Sequence, residues 1–339
     1  MNLDFTRNRA LDFAFPIFLV LVSLGFALVE PSFLGLENIF GMLHAMAPIA
    51  VISTGMALIV IMGKLDISLG SIALVSMGVS ATLLQSGYGF ISSSVIALLV
   101  GATLGAVNGF IICILKVNPL IATLGTMLTF RGLGNQITDA QVVVLPDGFR
   151  ALGNFSLGII YFDTVICLVL LILVHALHRR TKFGKVVTAI GNDETTAERV
   201  GLPVTRTIFF SFVIAGMLAS IGGFFASAQV GAVTSFLGKG LEFTAVAVVV
   251  VGGISLFGGR GSILWGVILG SLTFEVIRSG LNYLGANPYF YQLIGGVVIF
   301  IAMYVIGLAY ELYKVNGFRF LLSCSAINNT DIKLPSPHF

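Results

Sequence analysis

Charge is what this sequence has least of. Asp, Glu, Lys and Arg together make up 10% of its 339 residues, whereas a soluble globular domain carries about 25%. So few charges cannot cover a water-facing surface, which excludes an ordinary soluble fold. The net charge is only +3, and the basic residues are scattered through short connections, so no nucleic-acid surface is present. Cysteine is scarce as well. Cys113, Cys167 and Cys324 stand far apart with no C-x-x-C spacing and read as small apolar residues, which excludes a thiolate metal site. His175 and His178 share a helix face, but no carboxylate or cysteine is placed to complete a metal site with them. The phosphate-binding pattern G-x-x-x-x-G-K-[ST] is missing, since Gly238-Lys239-Gly240 lacks both the hydroxyl and the spacing. No Ser/His/Asp cluster appears in the loops. The chain therefore reads as a non-enzyme with no cofactor and no metal, and any ATP-driven process would need a second chain to bind the nucleotide.

What the chain has in abundance is apolar residues, 57% of the total, with a mean hydropathy of +1.03. In lipid every backbone N–H and C=O must be paired within the protein, so near-continuous apolar runs select helices. A bilayer core of about 30 Å needs roughly 20 residues of helix. Windows of that size fall near 13–34, 39–62, 67–85, 90–115, 118–135, 157–177, 207–230, 243–258, 262–283 and 289–310. The expected fold class is an all-α integral membrane protein with about ten transmembrane helices. The first run resembles a secretory leader, because Arg7 and Arg9 precede it, but Glu30-Pro31-Ser32-Phe33 stands where a small-residue cleavage site would be. It is assigned as the first membrane helix.

Lys and Arg collect on one side of such a bundle. Arg7 and Arg9, Lys64, Lys116, the group Arg179, Arg180, Lys182 and Lys185, and Arg260 all fall there, which places both termini in the cytoplasm of a multi-pass inner-membrane protein. The chain also echoes itself. Asn108-Gly109-Phe110 followed by Val117-Asn118-Pro119-Leu120 is mirrored by Ser279-Gly280-Leu281 followed by Ala286-Asn287-Pro288-Tyr289, and Asp66-Ile67-Ser68-Leu69-Gly70-Ser71 has a weaker echo in Gly253 to Gly258. Two related halves, roughly 40–135 and 207–310, would be joined through a cytoplasmic loop at 178–206, as in transporters with internal repeats. Together they form one permease domain, 1–310. The remaining tail, 311–339, is polar and is expected to be disordered.

The polar residues inside this apolar chain carry the functional expectations. Asp66 can cap the helix that follows it and is also a candidate gating group, because ionisable residues near membrane helices are functional by default. Asn118 and Asn287 each precede a proline at a helix start, a cap that can double as a substrate contact. Asn108 and Phe130 are further pathway candidates. Glu275 and Arg278 are one turn apart and can neutralise each other. Gly101, Gly105 and Gly109, and Gly266 with Gly270, are ladders for close helix packing. The most informative polar stretch runs from Phe183 to Pro203. Asn192 or Asp193 can cap a short helix there, and Gly201 with Pro203 ends it, giving a two-turn cytoplasmic helix too short to persist without a docking partner.

These stretches resemble the sugar-type permease subunits of bacterial ABC importers, the family of the ribose, xylose and arabinose permeases. The likeness runs in order through Asp66 to Ser71, Asn108-Gly109, Asn118 to Thr126, the 183–203 loop, Gly240-Leu241-Glu242, Gly252 to Ser262 and Ser279 to Gly285. It implies a subunit that translocates a sugar or similar small polar solute. It further implies as partners a second permease copy or paralogue, two cytoplasmic ATP-binding subunits, and a periplasmic or extracellular solute-binding protein. The family's coupling helix would fall on Gly191, Asn192, Asp193, Glu194, Ala197 and Gly201. A transporter driven by an ion gradient is the alternative, and it would call for more carboxylates at the membrane midplane than this chain has.

Overall fold

The computed structural model describes residues 3–287 and four isolated positions between 293 and 300, and a compact unit runs from Met1 to Gln292. The predicted tenth window, 289–310, and the tail therefore lie outside the described residues but for those positions. Among the described residues the regular structure is helical apart from four two-residue strands, with loops between the elements. The helices are α1 (Leu3–Val29), α2 (Leu36–Ile61), α3 (Leu69–Gln85), α4 (Phe90–Cys113), α5 (Pro119–Ile137), α6 (Asp147–Gly153), α7 (Phe162–Arg180), α8 (Lys182–Asn192), α9 (Glu194–Arg199), α10 (Val204–Val230), α11 (Leu241–Val251) and α12 (Ile263–Tyr283). The other nine predicted windows each overlap one of these. Among the described residues five helices, α2, α4, α7, α10 and α12, are long and apolar enough to cross a membrane, while α3 and α11 are shorter apolar helices.

Helix α2 is the axis of the bundle. Its residues from Ala47 to Ile61 are buried without interruption, and it packs against α10, α11, α12, α7 and α8. Between helices in lipid there is no strong hydrophobic drive, so association depends on close packing of small residues. The α4–α10 contact shows how. A β-carbon added to Gly101 would run into the Gly216 carbonyl and Ser220, one on Gly105 into the Phe212 carbonyl, and one on Gly109 into Phe209. The Ser220 hydroxyl then donates across the same seam to the Ala97 carbonyl at 2.9 Å. Gly266 and Gly270 bring α12 against Gly252 and Val248 of α11 in the same way.

Two windows need correcting at their edges. The one at 157–177 takes in a hairpin, β2 (Ser156–Leu157) paired antiparallel with β3 (Ile160–Tyr161), before α7 begins at Phe162. The one at 243–258 overruns α11, which stops at Val251. Hydropathy counted Ile254, Leu256 and Phe257 as helix, but Gly253, Gly258, Gly259 and Gly261 all hold positive φ and turn residues 252–262 into a loop. The remaining strands, β1 (Val143–Val144) and β4 (Ala232–Val233), pair to join the 138–146 segment to the end of α10.

Candidate coupling site and buried polar contacts

The polar stretch after α7 folds as two short helices. Thr181 opens α8 by accepting from the Gly184 N–H at 3.3 Å, and the α8 face made by Gly184, Val186, Val187 and Ile190 is buried. The chain then turns at Asp193. Its carboxylate accepts from the Thr196 N–H at 3.0 Å, from the Thr196 hydroxyl at 2.9 Å and from the Thr195 hydroxyl at 2.7 Å. These donors, the Thr196 N–H first, hold the Asp193 carboxyl down to about 2, because each favours the charged form. A capped α9 follows, anchored by one buried side chain, Ala197. It ends where the Leu202 N–H donates to the Ala197 carbonyl at 3.1 Å and Gly201 takes φ +79°, the left-handed turn expected of a C-terminal glycine. Thr195, Glu198, Arg199 and Val200 all face outward.

The residues expected to form one coupling helix are thus divided. Gly191 and Asn192 end α8, Asp193 is the junction, Glu194 and Ala197 belong to α9, and Gly201 closes it. The junction rests on two loops from elsewhere in the chain. A β-carbon on Gly191 would occupy the place of the Ile61 carbonyl and the Gly259 N–H, which bond to each other at 2.8 Å. Beside them the Lys64 ammonium and the Glu194 carboxylate pair at 2.8 Å, with the lysine side chain only 10% exposed. The end of α2 and the 252–262 loop that follows α11 are therefore both in contact with the α8–α9 junction.

Two residues past Lys64 lies Asp66, wholly buried. One carboxylate oxygen accepts from the Ser68 N–H at 2.9 Å and the Ser68 hydroxyl at 2.6 Å, so the side chain fixes the turn into α3 rather than capping its first N–H groups. From α4, the Asn108 amide donates to the Ser68 hydroxyl at 2.7 Å and approaches the same Asp66 oxygen at 3.5 Å. Asp66 and Asn108, singled out separately in the sequence, meet here and tie the 62–68 loop to α4. The other candidates do not join them. Asn118 accepts from the Leu120 N–H at 3.0 Å as a helix cap, Phe130 is packed in the main core, and Asn287 is exposed at the edge of the described residues. Glu275 and Arg278 form the expected pair at 2.9 Å.

Two polar contacts were not foreseen. At the end of the bundle away from α9, the Asp163 carboxylate joins His44 of α2 at 2.8 Å and accepts from Gln229 of α10 at 2.7 Å, while Tyr161 stacks on the His44 ring with centroids 4.0 Å apart. Further along, Arg131 donates to the Leu237 carbonyl at 2.6 Å and lies 3.9 Å from the Glu242 carboxylate. His44, Asp163 and Arg131 are ionisable residues inside apolar windows, and that alone was a signal to look there.

The match to known proteins covers this whole framework. Residues 38–303 match the family described as the permease component of the branched-chain amino acid transport system. The chain belongs to this family. Among curated proteins it is 34% identical over 321 residues to the galactose/methyl galactoside import permease of Haemophilus influenzae, covering 88% of this chain and 94% of that one. The corresponding Escherichia coli permease is 32% identical, with 84% and 90% covered. The ribose import permease of Bacillus subtilis is 34% identical over 281 residues, with 82% and 87% covered. No solved structure matches the chain. The resemblance seen in the sequence is borne out, and the family is one of transport subunits, which sets the ion-gradient alternative aside.

Proposed function

We propose that this chain is the membrane subunit of an importer for a sugar or similar small polar solute, driven by separate ATP-binding subunits. The observation that carries the reading is that relatives covering more than four-fifths of the chain are import permeases for galactosides and ribose. In this account ten helices cross the plasma membrane, with both termini in the cytoplasm, and the 40–135 and 207–310 halves surround the solute path together with a second copy or paralogue. The basic cluster from Arg179 to Lys185 then marks the cytoplasmic side, and a solute-binding protein delivers cargo to the other.

The contacts support one coupling route. The outward residues of α9 seat in a cleft of the ATP-binding subunit, and α8 carries the displacement to the membrane as a rigid piece. At the junction the push is delivered to both the 62–68 and 252–262 loops, through Lys64–Glu194 and through Gly191 against Ile61 and Gly259. The Asp66–Ser68–Asn108 contact passes it to α4, and α5 follows because Thr123 reaches the Leu65 carbonyl at 3.5 Å. Deleting Asp193 to Val200 tests this. Loss of the ATP-binding subunit from the purified complex, with the permease still inserted, is the expected result; a complex that forms undiminished would refute the assignment.

A further inference from the structure

The hairpin ahead of α7 is more apolar on its outer face than a water-exposed turn should be. From Asn154 to Phe162 the sequence is Asn-Phe-Ser-Leu-Gly-Ile-Ile-Tyr-Phe, with no charged residue. The two strands pair Leu157 with Ile160 and Ser156 with Tyr161, so these pairs point to opposite faces. Tyr161 turns inward and stacks on His44. Leu157 and Ile160 turn outward, 73% and 42% exposed, beside Phe155 at 47% and Ile159 at 46%. An isolated two-stranded hairpin is marginal in water, and a charge-free apolar patch is a surface that some partner covers.

The patch continues the lipid face of α7. That helix exposes Val165, Leu168, Val169, Ile172 and Leu173 along one side, and its other end is closed by Arg179 and Arg180. From Phe162 to Leu177 its uncharged length is sixteen residues apart from the buried Asp163 and half-buried His175, or about 24 Å at 1.5 Å per residue. Counted to Arg180 the helix has 19 residues, about 28.5 Å, which nearly matches a hydrocarbon core of about 30 Å. The hairpin therefore begins where the span ends, at the outer edge of the hydrocarbon. The base of the hairpin is tied to the first residue of α7: the Phe162 N–H donates to the Phe155 carbonyl at 3.0 Å and the two rings meet edge to face, 6.3 Å apart.

We infer that the Phe155–Phe162 hairpin lies in the membrane interface at the end of α7, where its open strand edges still reach headgroups and water, with the Leu157, Ile159 and Ile160 side chains turned against the acyl chains. The partner is the lipid itself, and the inference needs only the bundle's membrane position, not the identity of the cargo. The test is an environment-sensitive fluorophore on Leu157→Cys, in a background with Cys113, Cys167 and Cys324 replaced by alanine, reconstituted in nanodiscs that leave both faces open. Ile160→Cys repeats the reading from the paired strand, and a label on Glu198→Cys of α9 gives the aqueous reference. Blue-shifted emission at both hairpin positions, quenched by lipids spin-labelled high on the acyl chain, is the expected result. Emission matching the α9 label, with fast reaction toward a charged maleimide, would overturn the proposal. So would protection that arises only on adding a solute-binding protein, or Leu157→Cys cross-linking between two copies, since either would make the patch a protein interface.

Discussion

The Lys64–Glu194 pair contributes little to stability, and the proposed coupling route gives it a role in transport that can be tested separately. Glu194 is 45% exposed, and exposed ion pairs contribute about 0.2–1 kcal/mol. Lys64→Glu or Glu194→Lys alone should therefore leave the melting temperature nearly unchanged while lowering ATP-coupled uptake several-fold, and the double reversal should restore uptake. Equal loss in the double variant would show that the pair does not carry the movement. Asp66 behaves differently because it is buried. Asp66→Ala strips the acceptor from the Ser68 N–H and hydroxyl, and an unsatisfied buried donor costs about 1–3 kcal/mol. Asp66→Asn keeps one acceptor oxygen, so thermal denaturation in detergent should rank it clearly above the alanine variant. If both melt alike, the carboxylate is not what holds the loop.

Among the elements, the α4–α10 seam depends most on side-chain size. Gly105→Val forces a branched side chain against the Phe212 carbonyl, and overpacking of this kind costs about 1–3 kcal/mol. Unfolding in detergent should shift accordingly, whereas Gly132→Ala, which meets open space on α5, should be silent. The ladder was legible in the sequence because its period matches the helix. The end of α11 was not, because Ile254, Leu256 and Phe257 raise the hydropathy of a stretch whose backbone is governed by glycines with positive φ. The hairpin before α7 was hidden for a related reason: an apolar strand that continues an apolar helix looks like one longer helix. The cap at Asp193 and the stop at Gly201 were readable, since capping is local chemistry, but the break that divides α8 from α9 inside the expected coupling helix was not.

For the molecule as a whole, composition was enough to establish a helical membrane bundle, and the order of polar motifs was enough to reach the family. The contacts between distant segments were not readable. Lys64 and Glu194 are 130 positions apart, and Asp163 and His44 are 119 apart; nothing in local periodicity joins them, and only the packing of α2 against α7, α8 and α10 brings them together. That packing also sets the α8–α9 junction against the end of α2 and the 252–262 loop. The most direct measurement is to purify the chain from membranes in mild detergent with whatever accompanies it, and assay ATP hydrolysis with and without a sugar-loaded binding protein. The account predicts a copurifying ATP-binding subunit whose turnover rises when the loaded binding protein is added. A chain that purifies alone, and by itself takes up solute into liposomes along an ion gradient, would contradict it.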